Sequence, residues 1–269
     1  MDTKIYKGID NEKLEEIISK ITKAKIALIG DLCLDVYWIA DMTKSELSRE
    51  TPHFPLPIVN ERMSPGAGGN AAANIVALKP LDVKVMGVIG DDWRGDALVK
   101  VLKNSGINTD GVVVSGKVVT NAYCKPIRKG ISNVEYEDPR LDFNNYEPLP
   151  QKIELELLKQ LEKIIDTVDV LCVSDQLIYG CVTPAVREKI ISFGIKGKKI
   201  VVDSRDRIGQ YTGVFLKPNE VEGYKAVYNK PLPDNISFDD YTDTAKLLAK
   251  EKKSKVCMTL GSKGCLYTD

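Results

Sequence analysis

Histidine is almost absent from this sequence of 269 residues, which contains only His53. A single histidine nearly excludes Ser-His-Asp and Cys-His triads, multi-histidine metal centres and most histidine acid–base chemistry. The neighbouring residues Pro52 and Pro55 favour a plain loop position for His53. The chemistry that remains relies on carboxylates, amides and backbone dipoles.

A net charge is also lacking, because 38 Lys and Arg residues balance 38 Asp and Glu residues. The sequence therefore contains no basic stripe that would favour a nucleic acid or an anionic membrane as a partner. No apolar run approaches the length of a transmembrane helix, and the N-terminus does not resemble a signal peptide. We therefore expect a cytoplasmic protein with no nucleic-acid partner and no membrane partner.

Common metal and nucleotide signatures are missing as well. The six cysteines form no Cys-x-x-Cys pair and lie mostly in apolar runs, which argues against a zinc site and predicts reduced, buried thiols. No G-x-x-x-x-G-K-[ST] pattern occurs, so a P-loop is ruled out. Residues 66–71 fit a loose G-x-G-x-x-A pattern, but they follow a proline-rich segment, which argues against a dinucleotide site.

Apolar runs alternate with helical patterns along most of the chain, which predicts an α/β fold: a mostly parallel sheet between two helical layers. Buried strands are expected at residues 26–30, 83–89, 170–173, 200–202, 214–216 and 256–260. Helices are expected at residues 11–23, 70–79, 92–103, 153–165 and 238–250, and starting near residues 183 and 219. The segments at residues 36–59 and 111–146 instead contain short alternating strands, which we expect to form a separate small sheet.

The most unusual stretch is the segment SPGAGGNAAAN at residues 64–74. Its glycines, Gly66, Gly68 and Gly69, allow a ligand to approach the backbone closely, and the helix that follows begins with free N–H groups. Asn70 adds a side chain that both donates and accepts hydrogen bonds. The alternative is a tight turn in which the glycines serve only backbone geometry and packing.

Polar residues follow most of the predicted strands, and in parallel sheets ligands lie at this carboxyl edge. Two carboxylates, Asp31 and Asp35, follow the first strand and suit the hydrogen-bonding of sugar hydroxyls, although each also has an interpretation as a solvated loop acid. The other residues at or just after strand ends are Asp91, Asp175, Asp203, Asn219 and Gly261.

Five motifs occur along the chain in a fixed order: GDLCLDVYW at residues 30–38, the segment at 65–74, GDDWRG at 90–95 with Gly106-Ile107, KPNEVE at 217–222, and TLGSKG at 259–264. In this order they resemble the ribokinase-like (PfkB) carbohydrate kinases, and the resemblance covers essentially the whole chain. The segment RLDF at residues 140–143, with the Tyr37-Trp38 pair, looks most like the D-glycero-D-manno-heptose-7-phosphate kinase branch. The resemblance implies a single ribokinase-like domain, 1–269, whose small sheet, inserted at about 36–60 and 111–146, is a lid.

The resemblance also implies roles for individual residues. Asp35 and Asn70 would hold sugar hydroxyls, with the backbone of residues 66–69 beneath the ring. The further substrate-site candidates are Asp31 and Asp175, with Lys125 and Arg128 for a phosphate on the sugar. On the cofactor side, ATP and Mg²⁺ are implied. The residues expected there are Asn219 and Glu222 for the Mg–phosphate region, with Glu222 toward the metal, and Thr259, Gly261 and Gly264 along the nucleotide.

The implied activity is transfer of the ATP γ-phosphoryl group to a sugar hydroxyl, with heptose 7-phosphate at its anomeric position as the leading acceptor. The lid often pairs two subunits in this family, so a homodimer is expected.

Two departures bear on these expectations: Ala67 stands where the family usually has a glycine, and no Gly-Ala-Gly-Asp motif follows residue 264. That motif would supply the aspartate base, which we therefore expect after Asp269, in a C-terminal part of the fold beyond this sequence. Kinases for fructose phosphate, ribose or a nucleoside, and a non-catalytic sugar-binding protein, remain alternatives.

Overall fold

The computed structural model describes residues 4–6, 8–130, 132 and 134–268. Its strands are β1 (Lys25–Gly30), β2 (Leu32–Asp41), β3 (Ile58–Ala67), β4 (Asp82–Gly90), β5 (Asn108–Ser115), β6 (Asn121–Lys129), β7 (Tyr136–Glu137), β8 (Leu141–Phe143), β9 (Val170–Asp175), β10 (Ile200–Ser204), β11 (Phe215–Leu216), β12 (Val256–Thr259) and β13 (Cys265–Thr268). Its helices are α1 (Asn11–Ile21), α2 (Gly68–Ala77), α3 (Trp93–Asn104), α4 (Gln151–Ile164), α5 (Pro184–Ile195), α6 (Glu220–Tyr228) and α7 (Phe238–Lys252).

Within the described residues, eight strands form the large sheet in the order β13-β12-β11-β10-β9-β1-β4-β5, and only the β12–β13 pair is antiparallel. The predicted parallel sheet with helical layers is confirmed. From β1 the chain continues outward to β4 and β5 on one side, and it later returns to β9 on the other side. Strand order thus reverses between β1 and β9, and in open α/β sheets such a reversal leaves a crevice at the carboxyl edge where ligands bind.

The two faces of the large sheet bury different apolar clusters. Ala27 and Ile29 of β1 belong to the cluster that includes Leu157 of α4 and Ile190 of α5. Leu28, between them, belongs to the cluster on the other side, with residues of α2 and α3. Side chains alternate along a strand, so this continuous apolar run supplies both layers, as expected for a strand covered on both faces.

The small sheet has the strand order β3-β2-β6-β7, with β8 also paired to β6. Strand β2 lies inside this sheet and not at its edge. Its side chains Leu34 and Val36 are fully buried against the core, whereas Asp35 and Tyr37 point to the opposite face. The small sheet therefore presents one apolar face to the core and one polar face, and Asp35 lies on the polar face.

One strand predicted for the small sheet belongs to the large one. Residues 112–114 lie in β5, which pairs in parallel with β4 at the edge of the large sheet. Its alternating pattern arises because Val113 is buried whereas Val114 is 55% exposed. One-sided burial of an edge strand thus produced the periodicity that we had assigned to a separate sheet.

The N-terminal helix forms as predicted but packs less than expected. Asp10 accepts a hydrogen bond from the Lys13 N–H and caps α1. The helix has no fully buried residue, and its apolar side chains Leu14, Ile17 and Ile18 are partly exposed. Among the helices of the described residues, none combines the length and apolar character needed to cross a membrane.

Candidate functional site

Asp31 occupies the crevice between β1 and β9. Its carboxylate accepts hydrogen bonds from the backbone N–H groups of Gln176, Leu177 and Cys181 at 2.8, 2.7 and 2.8 Å. Its carbonyl oxygen accepts the N–H of Gly68 at 2.8 Å. Burial raises the pKa of Asp31, and the three N–H donors oppose that rise. Asp31 thus ties the loop after β9 to the start of α2. This arrangement supports a positioning role and leaves little of the carboxylate free for a sugar hydroxyl.

Asp175, the second buried acid expected in the substrate site, is also engaged. Its carboxylate pairs with the Arg207 guanidinium and accepts hydrogen bonds from the hydroxyls of Ser204 and Tyr211 at 2.8 and 3.0 Å. The Asp175 side chain is completely buried. Arg207 also donates to the carbonyl of Leu177, so this network holds the same loop that Asp31 holds. The structure gives both acids internal partners.

The glycine segment is the end of β3 and the first turn of α2, which we had expected to be a loop. Its glycines permit close packing: a Cβ on Gly66 would lie 2.9 Å from the Asp35 carboxylate, and a Cβ on Gly68 would lie 2.9 Å from the Asp31 carbonyl. A Cβ on Gly69 would meet Pro65 at the same distance. Asn70 is exposed in the first turn of α2, as a ligand-binding side chain requires.

The one residue of this segment with a positive φ is an alanine. Ala67 has φ 48° and ψ −126°, a conformation that glycine adopts readily and a residue with a Cβ does not. The family's usual glycine at this position thus has a direct backbone reason. The segment thus adopts its glycine-like backbone conformation at Ala67, which is not a glycine.

We therefore predict that Ala67→Gly stabilises the protein by about 1 kcal/mol. Relief of a strained φ/ψ of about 1–3 kcal/mol should outweigh the extra entropy of glycine in the unfolded chain, roughly 0.4–1 kcal/mol. Urea unfolding of both proteins measures this difference. Ala71→Gly is the matched control, since Ala71 lies inside α2 and glycine there should destabilise. A less stable Ala67→Gly protein would contradict the prediction.

Asp35 lies on the polar face of the small sheet beside two partners. Lys125, on β6, places its Nζ 3.3 Å from Asp35 Oδ1 and 3.1 Å from the Tyr37 hydroxyl. Burial acts to lower the pKa of Lys125, but Tyr37 and Asp35 outweigh it and raise the pKa. Lys125 therefore remains charged at neutral pH, next to a carboxylate that is itself only partly buried.

A second basic residue on this face was missed from the sequence. Arg62, on β3, lies opposite Tyr37, and its Cζ is 4.1 Å from the centre of the Tyr37 ring. The Lys125 Nζ lies 4.7 Å from the same ring, so the two cations flank Tyr37. The alternation Arg62, Ser64, Gly66 along β3 was visible in the sequence, but the register that sets Arg62 opposite Tyr37 was not.

Arg128 does not join this group. It lies three residues after Lys125 on β6, and an odd spacing along a strand sends side chains to opposite faces. The Arg128 guanidinium instead forms an ion pair with Asp138, with Nε to carboxylate distances of 2.7 and 2.8 Å. Arg128 therefore does not share a face with Lys125, as the expected pairing around one phosphate would require. The second cation on the Lys125 face is Arg62, on the other side of Tyr37.

The cofactor candidates lie together at the carboxyl ends of β11 and β12. Asn219 accepts the Glu222 N–H and Glu222 accepts the Asn219 N–H, both at 2.8 Å, in a capping box that begins α6. Asn219 also forms a parallel bridge with Thr259. After Thr259 the chain turns through Gly261 and Gly264, whose φ values of 56° and 95° favour glycine.

Glu222 keeps one carboxylate oxygen outside the capping box. Burial raises its pKa, the Asn219 N–H opposes the rise, and the Asp203 carboxylate adds to it. Lys217 forms an ion pair with Asp203 at 2.8 Å. Within the described residues, no group of three or more His, Cys, Asp or Glu side chains is placed to hold a metal. Mg²⁺ in phosphoryl-transfer sites takes one or two carboxylates plus substrate phosphates, so Glu222 fits it through the oxygen outside the capping box. Asp203 is already engaged, because it also accepts a hydrogen bond from the Gln176 side chain at 3.2 Å.

The chain resembles known proteins over nearly its whole length. The family model described as "pfkB family carbohydrate kinase" matches residues 23–269. Bifunctional protein HldE of Trichlorobacter lovleyi is 29% identical over 239 residues, 88% of this chain and 47% of the relative. Bifunctional protein HldE of Sulfurimonas denitrificans is 30% identical over 239 residues, with the same coverage of 88% and 47%. The chain thus spans about half the length of the curated relatives it matches.

Solved structures share the fold. The tetrameric inhibited form of phosphofructokinase-2 from Escherichia coli matches with a TM-score of 0.68 and 22% identity, over 91% of this chain and 77% of that chain. A putative sugar kinase from Clostridium perfringens matches with a TM-score of 0.64 and 16% identity, over 92% and 73% of the two chains. With the two-sheet architecture and the five ordered motifs already in place, the family match over residues 23–269 leads to one conclusion: the chain belongs to the pfkB family of carbohydrate kinases.

Proposed function

We propose that this protein transfers the γ-phosphoryl group of ATP to a hydroxyl of a phosphorylated sugar, with heptose 7-phosphate at its anomeric position as the acceptor. The observation that carries the proposal is the polar face of the small sheet, where two cations flank an aromatic ring next to a carboxylate. Relatives named HldE support a heptose acceptor.

On the acceptor side, Asp35 and Asn70 would hold sugar hydroxyls. Arg62 and Lys125 would bind the acceptor's own phosphate, because two cations within about 5 Å of one ring match a dianionic group. Arg140, from the RLDF segment, stacks on Tyr123 of the same face, with its Cζ 4.3 Å from the ring centre.

On the nucleotide side, Glu222 would hold Mg²⁺, directly or through water, and residues 259–264 would line the nucleotide. Bound Mg²⁺ neutralises phosphate charge and orients the γ-phosphoryl group. Asp31 and Asp175 have internal partners and are poor choices for the base that accepts the hydroxyl proton. Our expectation of an aspartate base after Asp269 stays a prediction.

The proposal is tested by measuring ADP release from ATP and Mg²⁺ across a panel of acceptors with the full-length protein. The panel contains heptose 7-phosphate, fructose 6-phosphate, ribose and adenosine. We expect turnover with heptose 7-phosphate. Turnover with only another acceptor of the panel would change the proposed acceptor but support the kinase activity. Binding of a sugar without ADP release from any acceptor would favour a non-catalytic sugar-binding protein.

The pKa of Glu222 leads to a prediction for the affinity of MgATP. Protons compete with Mg²⁺ for the carboxylate, and burial raises its pKa above the ordinary 4.5. MgATP affinity should therefore fall on acidification, and the loss should begin at a higher pH than an exposed glutamate would cause. Calorimetric titrations from pH 8 to pH 5 measure it. Glu222→Gln keeps the capping box and should remove this pH-dependent component, whereas Glu220→Gln, in the same helical turn, should retain it.

We also propose that each subunit is a single domain and that two subunits form a dimer through their small sheets. Strand β3 is ten residues long, and in the part of the chain that the structure describes one of its edges is unpaired. Ile58 and Val59 on it are about half exposed. Such an edge invites pairing with another strand. Sedimentation velocity should report a dimer, and Val59→Lys should shift it to monomer. A wild-type monomer at micromolar concentration would contradict this pairing.

A further inference from the structure

Arg205 lies at the carboxyl end of β10, directly after the strand. Its backbone N–H donates to the carbonyl of Asp175 at 3.1 Å, which holds the start of its loop against β9. Its side chain lines a cleft of about 290 Å³ together with Glu222 and Lys225. The guanidinium is thus exposed at the edge of the sheet where the nucleotide candidates lie.

The basic side chains around Arg205 have acidic partners, and Arg205 does not. Lys217 pairs with Asp203 at 2.8 Å, and Lys225 pairs with Asp206 at 2.9 Å. Arg207 pairs with the buried Asp175. Among the described residues no ion pair or side-chain hydrogen bond engages the Arg205 guanidinium, so its five donors are available to a ligand.

The charge of Arg205 reaches residues of both proposed subsites. Burial raises the pKa of Glu222, and the Arg205 charge is one of the effects opposing that rise. Burial raises the pKa of Tyr123, on the polar face of the small sheet, to about 12, and Arg205 again opposes the rise. The Arg205 side chain lines the cleft beside Glu222, and its charge also reaches Tyr123 on the small sheet.

We propose that Arg205 binds the γ-phosphoryl group of ATP at the junction of the two subsites. The proposal rests on the proposed kinase function and adds a residue to it. A guanidinium offers paired N–H donors that match two phosphate oxygens, and it remains charged as the phosphoryl group changes partners. Glu222, which lines the same cleft, would hold Mg²⁺ next to that phosphate.

The test compares Mg²⁺-bound ATP and ADP in calorimetric titrations of the full-length protein. We expect Arg205→Ala to raise the dissociation constant of ATP by about tenfold or more, with ADP changed by no more than about twofold, since only ATP carries the γ-phosphate. Arg205→Lys should give an intermediate loss, because it keeps the charge without the paired donors. Lys225→Ala, in the same cleft but paired with Asp206, should leave the ATP-to-ADP ratio unchanged.

Other results overturn the proposal in distinguishable ways. Equal losses of affinity for ATP and ADP would indicate that Arg205 binds the α- or β-phosphate and not the γ-phosphate. A loss for heptose 7-phosphate with ATP unchanged would assign it to the acceptor. An Arg205→Ala protein that binds and turns over ATP like wild type would remove the role while leaving the proposed function intact. A wild-type protein that binds neither nucleotide would overturn both.

Discussion

Asp31→Asn should destabilise the protein by about 3 kcal/mol. An asparagine offers one acceptor oxygen where the carboxylate accepts three backbone N–H groups, so its amide would face at least one buried donor that needs an acceptor. An unsatisfied buried donor costs roughly 1–3 kcal/mol, and hydrogen bonds to a charged group contribute about 1.5–3 kcal/mol. Urea unfolding followed by circular dichroism measures the loss.

Asp91→Asn is the matched control for Asp31→Asn. Asp91 also follows a Gly at the end of a parallel strand, and its N–H donates to the neighbouring strand as that of Asp31 does. Its side chain is exposed, so the substitution should change the free energy of unfolding by less than about 0.5 kcal/mol. Equal effects at the two positions would show that Asp31 does not hold the loop after β9.

Asp35→Asn should weaken heptose 7-phosphate binding by about 10- to 100-fold with little change in stability. Loss of one charge-assisted hydrogen bond to a hydroxyl corresponds to about 1.5–3 kcal/mol, which gives that range in the dissociation constant. The carboxylate is partly exposed and interacts with Lys125 at 3.3 Å, a pair that contributes little to folding. Titration calorimetry measures the affinity, and thermal unfolding measures the stability.

Asp41→Asn serves as the control for Asp35→Asn, because it lies on the same strand, six residues along. Its carboxylate accepts from Thr43 and caps a short helical turn, a role that asparagine also fills. Unchanged affinity is expected there. Asp35→Asn protein that binds heptose 7-phosphate as tightly as wild type would remove Asp35 from the sugar site.

Helix starts were predictable because their signals are local. Asp92, Thr183 and Asn219 each cap a helix by accepting N–H groups two or three residues ahead, so the residue type and the following pattern carry the information. The positions of the buried strands along the chain followed in the same way from their apolar runs. These features need no knowledge of which distant segments meet.

The different environments of Asp31 and Asp35 were not predictable in this way. The two acids are four residues apart and both follow the first strand, so the sequence predicts the same role for both. The donors that engage Asp31 come from residues 145–150 positions away, across the β1–β9 reversal. Only the packed sheet shows that the Asp31 carboxylate is buried and engaged by three donors, whereas the Asp35 carboxylate is partly exposed next to Lys125.

The cationic pair illustrates both cases. The separation of Lys125 and Arg128 onto opposite faces follows from their odd spacing, which the sequence contains. The meeting of Lys125 with Arg62 does not, because it depends on β2 lying between β3 and β6 and on the register of both pairings. The phosphate site that we propose draws on three strands, so its residues can be brought together only when that register is known.

The most direct measurement is a calorimetric comparison of heptose 7-phosphate with heptose lacking the phosphate. It uses the wild type, the double variant Arg62→Ala with Lys125→Ala, and Lys129→Ala as a control on the same face of β6. We expect the wild type and Lys129→Ala to prefer the phosphorylated sugar by at least about 100-fold, and the double variant to lose that preference while still binding heptose. A double variant that keeps the preference would contradict the assignment of the small sheet's polar face to the acceptor phosphate.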